Sequence, residues 1–137
     1  FWGVISLRDR EIGEPVMRLI RGLLNDSAAD VRIEAAALLA QRKASRPNAF
    51  KVLVNELDNS TWAVALRACR AIELMGESAK SVLPEMKAVY ARTRHAKGDE
   101  NFFLAFSSGA FLENLGEKID PWDFTPGAGS FMPPKKK

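Results

Sequence analysis

Cys69 and His95 are the chain's only thiol and imidazole, the two groups that together make a nucleophile and its base when one lies within hydrogen-bond reach of the other. The repeat pattern set out below places them in different structural units, with Cys69 aligned to Ala36, a position for a small buried hydrophobe. No dyad is therefore expected. A metal at His95 would have only Asp99 and Glu100 nearby and no second histidine to complete a ligand set, so no metal, cofactor or catalytic residue is assigned. What remains is polar surface. Arg92, Arg94, His95 and Lys97, in the stretch "RTRHAKGDE", could contact a small anion or a sulfated sugar, since guanidinium groups grip oxyanions in a bidentate way. The same cations also suit a helix C-terminus, where they offset the dipole before a solvated loop. A second group, Glu34, Arg67, Arg70, Glu73, Ser107 and Glu113, forms a polar stripe of mixed sign that could hold a protein partner. Arg70 and Glu73, three residues apart, could also pair on an exposed helix surface.

The elements that position these residues follow from an internal repeat. Displacing the sequence by 33 residues lays Met17, Phe50 and Leu83 over one another, then Ile20, Leu53 and Met86, then Leu24, Leu57 and Tyr90. Within each copy these occur at i, i+3 and i+7, the buried stripe of an amphipathic helix. The intervening segments also repeat: Val31, Ile33, Ala35 and Leu39 overlie Val64, Leu66, Ala68 and Ile72. A displacement of 40 continues the series, pairing Ile72 with Leu112 and Gly76 with Gly116, and the 7 additional residues fall in the polar insertion "TRHAKGD".

Each unit is thus two helices. First helices are expected at about 15–25, 47–58 and 80–94, and second helices at about 28–41, 61–75 and 100–115, with a remnant at 1–9. Pro15 and Pro47 suit a first turn, Ser27 and Ser60 are placed to cap second helices, and Gly76 and Gly116 suit the left-handed residue that ends one. Small residues at Ala35, Ala36, Ala37 and Ala68 allow close helix approach. The expectation is an all-α solenoid of about three and a half helix pairs over 1–116, with partial unit 1–9 and full units 15–41, 47–76 and 80–116. Residues 117–137 form a Pro/Gly-rich tail, in which Trp122 and Phe124 are expected to fold back over the last pair, because a terminal repeat needs a cap. Trp2 and Trp62 are read as core or inter-repeat packing.

Composition sets outer bounds. The chain has 137 residues and a net charge of +3, and without Lys135, Lys136 and Lys137 the balance is zero, so no nucleic-acid partner is expected. No apolar run approaches the roughly 20 residues of a membrane span. One cysteine excludes an internal disulfide. The chain opens as if inside a helix, without initiator Met or cap, which reads as a piece of a longer polypeptide.

The linker Asn-Asp-Ser-x-x-x-Val-Arg (Asn25 to Arg32), followed by Ala35 and Ala36, resembles the HEAT repeat, whose arrays act as scaffolds in unrelated systems. A narrower likeness is in "FWGVISL": it resembles the Arg-aromatic-Trp-small-Val-x-Gly-Leu helix where HEAT-like units follow the catalytic domain of some bacterial sulfatases. Phe1, Trp2, Gly3, Val4 and Leu7 match, while Ser6 stands where Gly is common. That resemblance implies a non-catalytic C-terminal module of a periplasmic or secreted hydrolase, acting in domain packing, substrate-entrance shaping or protein contacts. Calcium and formylglycine would then belong to the upstream domain, since Cys69, in "CRAIE", lacks the proline of the Cys/Ser-x-Pro-x-Arg motif. The alternatives are a HEAT-repeat interaction scaffold unrelated to sulfatases, or a HEAT-like DNA-repair protein. The last is set aside because basic residues are scattered over both helix sets and no acidic residue stands beside a tryptophan in an obvious pocket.

Overall fold

A computed structural model describes Gly3 and residues 12–121. Among these residues all regular structure is helical. The α-helices between 12 and 121 are α1 (Glu14–Gly22), α2 (Ala29–Ala40), α3 (Arg46–Glu56), α4 (Trp62–Met75), α5 (Leu83–Thr93) and α6 (Asp99–Asn114), with 3₁₀ segments at Leu23–Asn25 and Gly76–Val82. The remnant at 1–9, apart from Gly3, and Trp122, Phe124 and the rest of the tail lie outside the described residues.

Local chemistry fixes the helix ends. Pro15 and Pro47 occupy the first turns of α1 and α3, where the missing N–H has no helical partner to lose. The third first helix begins later than the pattern implies, at Leu83 rather than near 80. Pro84 has no N–H to give the carbonyl of residue 80, so the chain runs as a 3₁₀ segment up to Val82. Ser27 and Ser60 do not cap the second helices. Asp26 and Asn59 turn the chain instead, their Oδ1 atoms accepting the N–H of Ala28 and Thr61 at 2.8 and 2.9 Å, and the helices start just beyond. Asp26 and Asn59 are 33 residues apart, so the repeat includes its turn chemistry. Gly76 ends α4 at φ +51°, and Gly116, at φ +76°, closes α6. There the N–H groups of Glu117 and Gly116 donate to Leu112 and Glu113 carbonyls at 3.0 and 2.9 Å, the paired bonds of a Schellman end.

The apolar stripes meet in one core. Met17, Ile20, Phe50, Leu53, Leu57, Met86 and Tyr90 are buried, and Leu24 and Leu83 pack partly buried against them. The second helices contribute Ile33, Leu39, Ile72, Phe111 and Leu112. α2 packs most extensively on α3, and α6 on both α4 and α5; α2 also touches α4 directly. Close approach needs small residues: a Cβ on Gly109 would lie 3.0 Å from the Tyr90 ring. After α6 the chain doubles back along α5. Lys87 pairs with Glu117 at 2.5 Å, the Tyr90 hydroxyl donates to the Asp120 carbonyl at 2.7 Å, and Arg94 donates to the Pro121 carbonyl at 3.2 Å.

Candidate functional site

The polar stripe of the sequence is brought together on the face carried by α2, α4 and α6, but not as a free solvated surface. Glu34 and Ser107, two residues of the stripe read as a partner surface, are 7% and 3% exposed. The helices lie close enough that these side chains sit in the seams between them. Arg67 reaches across from α4 to α2, with Nη1 2.6 Å from Asp30 Oδ1 and Nη2 3.0 Å from Glu34 Oε1. On the other flank, the Ser107 hydroxyl of α6 donates to Glu73 Oε2 at 2.6 Å, and Glu73 also takes Arg70 of its own helix. Glu34, Arg67 and Ser107 occupy equivalent repeat positions, displaced by 33 and then 40 residues. One register position thus yields the bonds that tie the three helices together. Arg70 and Glu113 remain exposed.

Beside this ladder stands an aromatic cluster that repeat alignment did not single out. Trp62 opens α4 and stacks on Phe103 of α6, ring centroids 6.5 Å apart and planes 15° from parallel, and Phe102 meets Phe103 edge-on at 5.3 Å. Trp62 thus packs against another helix, yet it is 47% exposed; Phe103 and Phe106 are 46% and 55% exposed. Phe103, Phe106, Ala110 and Glu113 fall at i, i+3, i+7 and i+10, one stripe of α6. Next to Trp62 is a cleft of about 340 Å³ that Asp58, Asn59, Arg92, Glu100 and Asn101 also line. This corrects the reading that no acidic residue stands beside a tryptophan in a pocket. Asp58 and Glu100 come from segments far from each other in sequence, and only the packing of α6 on α4 brings them to the same indole.

The four cations proposed for an anion contact are dispersed. Arg92 turns toward α3, where it pairs with Asp58 and donates to the Leu57 carbonyl at 2.6 Å, closing the C-terminal end of that helix. Arg94 turns to Asp120 and Pro121. His95 and Lys97 are exposed in the loop. Cys69 is fully buried, and that burial pushes its thiol up to about 11, the neighbouring Ser107 hydroxyl opposing the shift. A thiol held neutral in the core is no nucleophile. Among the described residues no three His, Cys, Asp or Glu side chains gather to hold a metal ion. No helix among them is long and apolar enough to cross a membrane. In comparisons with known proteins, no family model, curated protein sequence or solved structure matches the chain.

Proposed function

We propose that the chain is a non-catalytic helical-repeat module, a HEAT-like α-solenoid of about three and a half pairs, whose α2–α4–α6 face docks onto another folded domain. The supporting observation is a near-constant separation in the bonds that cross between units. Glu34 meets Arg67 at 33 residues, Asp58 meets Arg92 at 34, and Glu73 meets Ser107 at 34. A near-constant offset along the chain is what stacked helix pairs produce, because each pair contacts the next. Trp62 and Phe103, stacked across α4 and α6, and Phe106 one turn further along α6 stay exposed, large apolar side chains of the kind that marks interaction surfaces. The resemblance of Phe1–Leu7 to a sulfatase-associated helix makes an upstream sulfatase-type domain the first partner to test, with an unrelated protein partner second.

A photo-crosslinking side chain placed at Phe106, and in a separate variant at the exposed Lys51 of α3, tests the face in the native cell. Protein adducts from position 106 and few from position 51 are expected, and peptide mass spectrometry of the adduct separates a domain of the same polypeptide from another protein. Equal labelling at both positions, or none at 106, removes the proposal.

A further inference from the structure

We propose that the cleft beside Trp62 receives a cationic side chain, an arginine or lysine on a segment of the docking partner. The inference rests on the docking reading above and names the partner's chemistry.

Several of the cleft's donors are engaged within the chain. Asn59 Nδ2 donates to Glu56 at 2.9 Å and Asn101 Nδ2 to the Lys97 carbonyl at 2.8 Å. The Thr93 hydroxyl is tied to the Val89 carbonyl at 2.7 Å, and Arg92 is held by Asp58 and Leu57. What the cleft offers in excess is carboxylate acceptors. The Asp58 side chain is 77% exposed even while paired, and Glu100 is exposed at the first turn of α6, next to Asp99. Ser60 adds a single hydroxyl.

A neutral sugar would stack on the indole as well, but it would draw nothing from the excess of carboxylate charge in the lining. An anion would meet two carboxylates against one guanidinium, a lining of net negative charge. A cation meets both features at once: an exposed indole, extended by its stack on Phe103, whose negative ring face attracts positive charge, and carboxylates that accept charge-assisted hydrogen bonds. The loop cations do not cancel this, since Arg94 turns to Asp120 and Pro121, and neither His95 nor Lys97 lines the cleft.

The test uses the full ¹⁵N-labelled chain and two short synthetic peptides of Gly and Ser, one carrying two arginines and the other two glutamates in their place. The arginine peptide should shift the Trp62 indole N–H, assigned by its loss in Trp62→Leu, along with the amides of Ser60 and Asn101. The glutamate peptide should shift none of them. Glu100→Gln, an isosteric surface change, should weaken arginine-peptide binding about threefold to tenfold, and Trp62→Leu by a similar factor. No shift up to about 5 mM peptide, equal shifts with both peptides, or binding indifferent to both substitutions overturns the proposal. Adducts at position 106 without any cation effect sink the cleft and leave the docking face standing. Cation-induced shifts without adducts leave the cleft and sink the docking face.

Discussion

Leu53 lies at the middle of the array, on α3, with none of its surface exposed. Leu74 of α4 is 69% exposed. Replacing each by alanine removes the same three carbons, so the pair isolates burial. At Leu53 the lost transfer free energy is about 2.4 kcal/mol, taking about 0.8 kcal/mol per carbon group. A cavity term adds to it, because α3 is held between α2 and α4 and the walls cannot close freely. The total should be about 3–4 kcal/mol, which for a chain of this length lowers Tm by about 10 °C. Leu74→Ala should stay within about 0.5 kcal/mol of the parent. Far-UV circular dichroism through thermal and urea unfolding measures both, with the urea slope checking that the unfolded state is unchanged. A loss below about 1 kcal/mol at Leu53, or equal losses at both sites, would refute the assigned register.

Arg92→Ala should cost about 1 kcal/mol in urea unfolding, mostly through the uncapped Leu57 carbonyl, because the Asp58 partner is largely solvated. Gly22→Ala should stabilise by about 0.5 kcal/mol, since a Cβ there meets nothing within 4 Å. Gly98→Ala should instead cost about 1–2 kcal/mol, because φ is +108° and the Glu100 carboxylate crowds the Cβ position; opposite signs in one melting series are the check. The folded state holds the Cys69 proton above the thiol's ordinary 9.0, so this stabilisation is complete below pH 9.0 and is lost as pH rises toward about 11. It amounts to about 2–3 kcal/mol at most. Tyr90 is raised in the same direction by burial, so the measurement is the difference in pH dependence between the parent and Cys69→Ala, and identical profiles would refute it.

Most of the helical architecture was legible because burial is periodic. The stripes at 17/20/24, 50/53/57 and 83/86/90 mark three helices that do form, and all but the partly buried Leu24 and Leu83 are buried. Boundaries were less legible where two chemistries compete for one end. Ser27 and Asp26 are both able to turn a chain into a helix, and the aspartate won in this turn as Asn59 did in the next. The 33-residue register places the third first helix from about 80, but Pro84 cannot donate to the carbonyl of residue 80, and the α-helix starts at Leu83.

The candidate site shows a different limit. Alignment of repeats finds positions that resemble one another, and the seam residues Glu34, Arg67 and Ser107 were found because they share one such position. Their partners do not: Glu73 lies six residues beyond Arg67 on the same helix, and it meets Ser107 rather than Glu113, the residue that the 40-residue displacement pairs with it. The Trp62–Phe103 stack escaped for the same reason. Under the 40-residue displacement Trp62 overlies Phe102, not Phe103, so the alignment pairs equivalent positions while the rings that touch are one residue out of register. Sequence periodicity reports which residues play the same part in successive units. The Trp62–Phe103 stack joins residues that the alignment does not pair, and only the lateral packing of α4 against α6 brings them together.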